Sequence, residues 1–165
     1  MEGSTGALFL DRDGVVNRER GEHTWHPQDF EILPGVAEAV NAAHAKGLRV
    51  IVVTNQSGIA LGLYGHADVE RLHAQLREGL GREGAWLDAV YYCPHHPQQG
   101  RCLCRKPGSL LLERAMARFR VDPARSLMVG DRQRDVDAAE AVGVRGVLVP
   151  ANEPLLPILV TEGVI

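Results

Sequence analysis

The chain has 165 residues, 45% of them hydrophobic and 24% charged, with a formal net charge of −3. That length is ordinary for one folded domain, and the balance excludes a disordered or collagen-like chain. An acidic surplus with a pI near 6.2 argues against a nucleic-acid binder, whose footprint is a basic excess.

No apolar run approaches the ~20 residues that cross a bilayer, and the first residues lack the basic segment and apolar core of a signal peptide. The expectation is a cytoplasmic protein, monomeric, with no membrane or nucleic-acid partner. In chain order, strand-like apolar runs recur at Ala7 to Leu10, Arg49 to Val53, Ala89 to Tyr92, Ser126 to Val129 and Gly146 to Val149. Segments with helical spacing lie between them. Val36, Ala39, Val40 and Ala43 form one stripe, Val69, Leu72, Leu76 and Leu80 a second, and Leu111, Leu112, Ala115 and Phe119 a third. Gly47, Gly84 and Gly143 stand where these patterns stop, as left-handed helix caps do. Alternating strands and helices predict an α/β fold, a doubly wound and mostly parallel sheet covered by helices on both faces. One domain is expected over residues 1–165. The Pro-rich stretch from Pro150 to Pro157 is expected over the surface, with residues 158–165 adding a strand or packing.

The first strand runs straight into Asp11-Arg12-Asp13-Gly14-Val15-Val16-Asn17. A turn at Asp13-Gly14 lets two carboxylates two residues apart converge, and their repulsion calls for a cation. Mg²⁺ suits such a site, being a hard ion that takes one or two carboxylates, water and phosphate oxygens. Alone, the pair reads as ordinary turn aspartates. The second strand, however, ends in Thr54-Asn55-Gln56-Ser57-Gly58, a run of small hydrogen-bond donors, and the third and fourth are followed by Arg105-Lys106-Pro107 and Gly130-Asp131-Arg132. Ligands of such a fold bind beyond the carboxyl ends of its strands, where these groups would meet. The combination points to phosphoryl transfer: Asp11 attacks phosphorus to form an acyl phosphate, Asp13 moves the proton, and Lys106, Thr54 and backbone amides offset the developing charge beside Asp131 and its metal.

These residues resemble the haloacid dehalogenase superfamily of phosphotransferases, whose four motifs are matched by LFLDRDG, VVTNQSG, RKP and MVGDRQRD. Within it, DRDGVVN, TNQSGIA, CPHHP and CLCRKP look most similar to the D-glycero-D-manno-heptose 1,7-bisphosphate 7-phosphatases, with histidinol-phosphatases as relatives sharing much of the pattern. The resemblance implies Asp11 as nucleophile and Asp13 as proton donor. It implies Mg²⁺ held by Asp11, the Asp13 backbone carbonyl and Asp131, and phosphoryl stabilisation by Thr54 and Lys106. Arg105, Arg132, Glu19, Arg20, Gly21, Glu22, Asn55, Gln56 and Ser57 would then bind substrate, with Arg101 a further candidate for a second phosphate. Asp135 and Asp137 would lie outside the reacting group. The substrate implied is a small phosphorylated metabolite, a sugar bisphosphate.

Three cysteines, Cys93, Cys102 and Cys104, fall within twelve residues, an odd number that suits a metal site better than a disulfide framework. The resemblance implies structural Zn²⁺ on Cys93, His95, Cys102 and Cys104, with His96 the competing ligand, in an insert spanning residues 93–104. Fixing that loop would fix Arg105 and Lys106, which follow it directly. His44 and His73 have no evident companions and are expected at the surface or partly packed. About 40 residues separate Asp13 from Thr54 and about 50 separate Thr54 from Arg105, which leaves no room for a cap domain. Two readings from other classes remain: a phospho-accepting signalling module, which also carries clustered aspartates, a Thr and a Lys on a doubly wound sheet, and a zinc-dependent binding module without catalysis.

Overall fold

The computed structural model describes residues 3–165. Among them, β1 (Ala7–Leu10), β2 (Arg49–Asn55), β3 (Ala89–Cys93), β4 (Leu127–Gly130) and β5 (Arg145–Leu148) form one sheet in the order β3-β2-β1-β4-β5, every pairing parallel. The crossovers carry α1 (Val36–Ala45), α2 (His66–Gly81), α3 (Leu110–Phe119) and α4 (Gln133–Glu140), and α5 (Leu155–Thr161) follows the last strand.

Side chains of a strand alternate between its faces, and both faces here are apolar. Leu8, Leu10, Val50, Val52, Leu127 and Val129 pack on one side with the stripes of α1 and α2 and with Leu155 and Leu159 of α5. Ala7, Phe9, Ile51, Val53 and Met128 pack on the other with Leu111, Leu112 and Ala115 of α3 and Ala138 and Ala139 of α4. The helices thus change face between β3 and β4, while the strand order reverses about β1. That is the topological switch point at which a doubly wound sheet opens a crevice, and β1 and β4 flank it.

Residues 155–161 form a helix: Pro150 to Pro154 lie at the surface and residues 158–165 pack on the core, as expected, but no further strand is added and Leu155 is buried. Pro157 falls in its first turn, where a backbone N–H has no helical partner to lose, and Leu155 and Leu159, four apart, are buried on one stripe. Of the two histidines, His44 is partly packed as expected but has companions, and His73 is buried. His73 is buried beside Arg12 and Tyr92, and burial, then the charges of Arg12 and Arg77, push its pKa down to about 3. His44 lies 2.9 Å from Asp88 and stacks on Trp86 at 4.0 Å between ring centroids. No helix among the described residues is long and apolar enough to cross a membrane.

Candidate active site

Asp11 follows the last residue of β1, and its amide donates to the Val129 carbonyl of β4 at 3.1 Å, so its position is tied to both strands flanking the crevice. Its Oδ1 accepts from the Arg12 amide at 2.9 Å and from Lys106 Nζ at 2.9 Å. Lys106 is 1% exposed. Its ammonium also donates to the Val53 carbonyl at 2.6 Å and lies 2.6 Å from an Asp135 oxygen, out of line for a directional hydrogen bond. Burial alone would lower its pKa, but the flanking carboxylates of Asp11 and Asp135 outweigh it and raise the value. Asp135 had no evident site role in the sequence; the structure buries it completely against Lys106.

Asp13 is held from three directions. Arg12 Nη2 donates to its two oxygens at 3.0 and 3.3 Å, Asn17 Nδ2 at 2.9 Å, and Gln56 Nε2 at 3.0 Å. Burial would raise this carboxyl, but Arg12, Asn17 and Gln56 together hold it below the usual carboxylate range. Arg12 is fully buried and also donates to the Thr24 carbonyl at 3.0 Å, which ties the reacting turn to the rim segment. Neither Arg12 nor Asn17 was singled out in the sequence. An arginine is almost never buried whole unless paired, and the adjacent Asp13 is the pairing that permits it.

The donor loop after β2 spends much of its hydrogen bonding inside the protein. Asn55 exchanges two bonds with the Lys106 backbone, accepting at 3.0 Å and donating at 3.1 Å, much as a neighbouring strand would. Gln56 Nε2 bridges Asp13 and Thr54 Oγ1, the latter at 2.9 Å, while its Oε1 accepts from Tyr64 Oη at 2.7 Å. The side chains of Asn55 and Gln56 therefore fix Lys106, Asp13 and Thr54, and Ser57 beside them is half-buried.

An open cavity of about 280 Å³ lies over these residues, lined by Asp11, Asp13, Glu19, Gly21, Glu22, Asn55, Gln56, Ser57, Arg105, Asp131 and Arg132, and also by His23, Thr24 and Arg134. Thr54 and Lys106 lie just beneath, both 1% exposed. Arg20 turns away toward Glu22 at 2.9 Å and Asp29 at 3.4 Å, and Arg101 borders a separate depression on the cysteine loop. Glu19 is positioned through its backbone by Asn152, at 2.7 and 3.1 Å.

Carboxylate oxygens of Asp11, Asp131 and Asp135 lie within 4.8 Å of one another. Burial, ahead of all other causes, raises Asp131 and pushes Asp11 up to about 8, with Asp135 and Asp13 adding to the rise at Asp11 and Lys106 opposing it. One lysine thus falls short of the positive charge these carboxylates need. Asp131 Oδ1 is buried without a hydrogen-bond partner, and among the described residues the Asp13 carbonyl accepts no hydrogen bond. An oxygen-only donor set short of positive charge fits a hard divalent cation. Gly14 makes the approach feasible. Its φ is +90°, and a Cβ there would collide with the Asp131 carboxylate.

The second cluster is soft. Cys93 Sγ lies 3.3 Å from His95 Nδ1, 3.7 Å from Cys102 Sγ and 3.1 Å from Cys104 Sγ, with His95 Nδ1 to Cys104 Sγ at 3.2 Å. A tetrahedron of thiolates on Zn–S bonds of ~2.3 Å has edges of about 3.8 Å, and the cluster is close to that size. His96 is outside it, its Nδ1 accepting from the Gln98 amide at 3.1 Å. The Arg105 amide donates to Cys102 Sγ at 3.4 Å, so the cluster reaches the residue that enters the cavity.

The HAD-hydrolase-like family model matches residues 103–153. The chain is 40% identical over 164 residues to the D-glycero-beta-D-manno-heptose-1,7-bisphosphate 7-phosphatase of Escherichia coli, covering 95% of this chain and 85% of that one. The chain belongs to this family of HAD-like phosphatases. It is also 41% identical over 144 residues to the D-glycero-alpha-D-manno-heptose-1,7-bisphosphate 7-phosphatase of Burkholderia mallei, covering 84% of this chain and 76% of that one. Among solved structures, the D,D-heptose 1,7-bisphosphate phosphatase of B. bronchiseptica, complexed with magnesium and phosphate, superposes with a TM-score of 0.85 at 30% identity, over 96% of this chain and 99% of that one. As a HAD-like phosphatase, the chain has its cavity at the sheet's switch point, where this fold binds its ligands.

Proposed function

We propose that this phosphatase, working as one monomeric domain in the cytoplasm, removes the C7 phosphate of D-glycero-D-manno-heptose 1,7-bisphosphate. What carries the reading is the meeting of Asp11, Asp13, Lys106 and Asp131 at the switch point of a chain 40% identical, across 95% of its length, to a protein of that name. Mg²⁺ held by Asp11, Asp131 and the Asp13 carbonyl would supply the positive charge that keeps Asp11 ionised and draws in a phosphoryl group.

Asp11 Oδ1 is engaged by Lys106 and the Arg12 amide, which leaves Oδ2 to attack phosphorus. The P–O bond to the sugar breaks, and Asp13 passes a proton to the departing alkoxide. Asp13 then takes a proton from water, whose oxygen attacks the phospho-aspartate, releasing orthophosphate and restoring Asp11. Held ionised at rest by Arg12, Asn17 and Gln56, Asp13 gains its proton as the negative phosphate arrives and raises its basicity. Thr54 and the backbone amides of Asn55 and Ser57 would face the phosphoryl oxygens, the Gln56 amide being taken up by the Cys93 carbonyl at 2.7 Å.

Zn²⁺ on Cys93, His95, Cys102 and Cys104 is a structural ion in this reading, since four protein ligands leave no open position. It holds the loop that delivers Arg105 and Lys106. A phosphate-release screen across both heptose bisphosphate anomers, histidinol phosphate and other sugar phosphates tests the substrate. The highest kcat/KM is expected on a heptose bisphosphate; a higher value on histidinol phosphate would overturn the reading.

A further inference from the structure

Of the three arginines that line the cavity, two have no partner among the described residues. Arg105 comes from the loop before α3, and Arg134 from the first turn of α4; both line the cavity. Arg105 Nη1 and Arg134 Nε are shielded from solvent without a hydrogen-bond partner, and neither guanidinium forms an ion pair among the described residues.

Two guanidinium groups brought together without an anion repel, and unpaired buried N–H groups add a desolvation cost. Other arginines in the neighbourhood are satisfied or solvated: Arg12 binds Asp13, Arg20 binds Glu22, and Arg132 is exposed and leans on Asp131 at 3.9 Å. Lys106 is consumed by Asp11, Asp135 and Val53. A phosphate carries ~1.5 to 2 negative charges and three acceptor oxygens, enough for both guanidinium forks.

We propose that Arg134 is a specificity-determining residue that, with Arg105, seats the second, non-reacting phosphate of a bisphosphorylated sugar. The assignment rests on the bisphosphate reading above and adds the residue that enforces it. Arg134 selects for the substrate's second charge, so its contribution appears in the preference for bisphosphate over monophosphate.

The test compares kcat/KM on heptose 1,7-bisphosphate and on heptose 7-phosphate for the parent enzyme, Arg134→Gln and Arg134→Lys. The bisphosphate-to-monophosphate ratio is expected to fall about 10- to 100-fold in Arg134→Gln, mainly through KM. Arg134→Lys keeps the charge without the fork and is expected between the two. A parental ratio retained in Arg134→Gln, or an equal loss on both substrates, overturns this assignment alone. A parent enzyme without preference for the bisphosphate overturns the substrate reading as well.

Discussion

Asp11 and Asp13 are two residues apart and are driven in opposite directions. Burial lifts Asp11 to about 8, while Arg12, Asn17 and Gln56 overcome burial at Asp13 and keep it low. Because Asp11 lies above the ordinary 3.8, the metal-free protein holds a proton there between about pH 4 and 8. Mg²⁺ must displace that proton, so affinity is expected to rise with pH toward about 8 and then level off. Calorimetric titration at about pH 6 in buffers of different ionisation heat should show proton release on Mg²⁺ binding; none would contradict the assignment. Gly14→Ala tests the same centre sterically. A side chain at φ +90° is strained and strikes Asp131, so Mg²⁺ affinity is expected to fall about tenfold or more, measured by the same titration.

At the scale of elements, five short strands and the helices α1, α2 and α3 were legible because both faces of the sheet are apolar and each of these helices carries an apolar stripe, whereas the polar α4 buries Asp135 beside Val136, Ala138 and Ala139. α5 was not legible, since Pro154 and Pro157 read as loop punctuation when only the pairing of Leu155 with Leu159 marks a helix. Leu159→Ala is expected to cost about 2–5 kcal/mol in urea unfolding, because it empties a site buried against α1; a loss under about 0.5 kcal/mol would deny α5 its place in the core. The candidate site was legible where polar groups follow the strands, at Asp11, Thr54 and Asp131 and, past the cysteine loop, at Lys106. It was hidden where a residue acts by burial: Asp135 was read only as lying outside the reacting group, Arg12 was not singled out, and nothing marked Asn55 and Gln56 as braces for Lys106 and Asp13 besides their place at the cavity. Among the loop elements, Cys102→Ser should lower bound zinc, read by metal analysis, and raise KM more than it lowers kcat, because Cys102 receives the Arg105 amide. Full zinc content with unchanged KM would remove the loop's proposed purpose.

Across the whole molecule, four stretches of chain bring groups to the cavity or just beneath it. β1 brings Asp11 and its turn Asp13, the end of β2 brings Thr54, the cysteine loop brings Arg105 and Lys106, and β4 brings Asp131. The sheet is what makes them one site. The central claim is that this site forms a bond between phosphorus and Asp11. The most direct measurement is phosphate release from heptose 1,7-bisphosphate with Mg²⁺ by purified Asp11→Asn protein beside its parent, both shown to be folded. The account predicts release from C7 by the parent and a rate at least ~10³-fold lower in the variant, since an amide oxygen cannot serve as the nucleophile. Release by Asp11→Asn at the parental rate would contradict it.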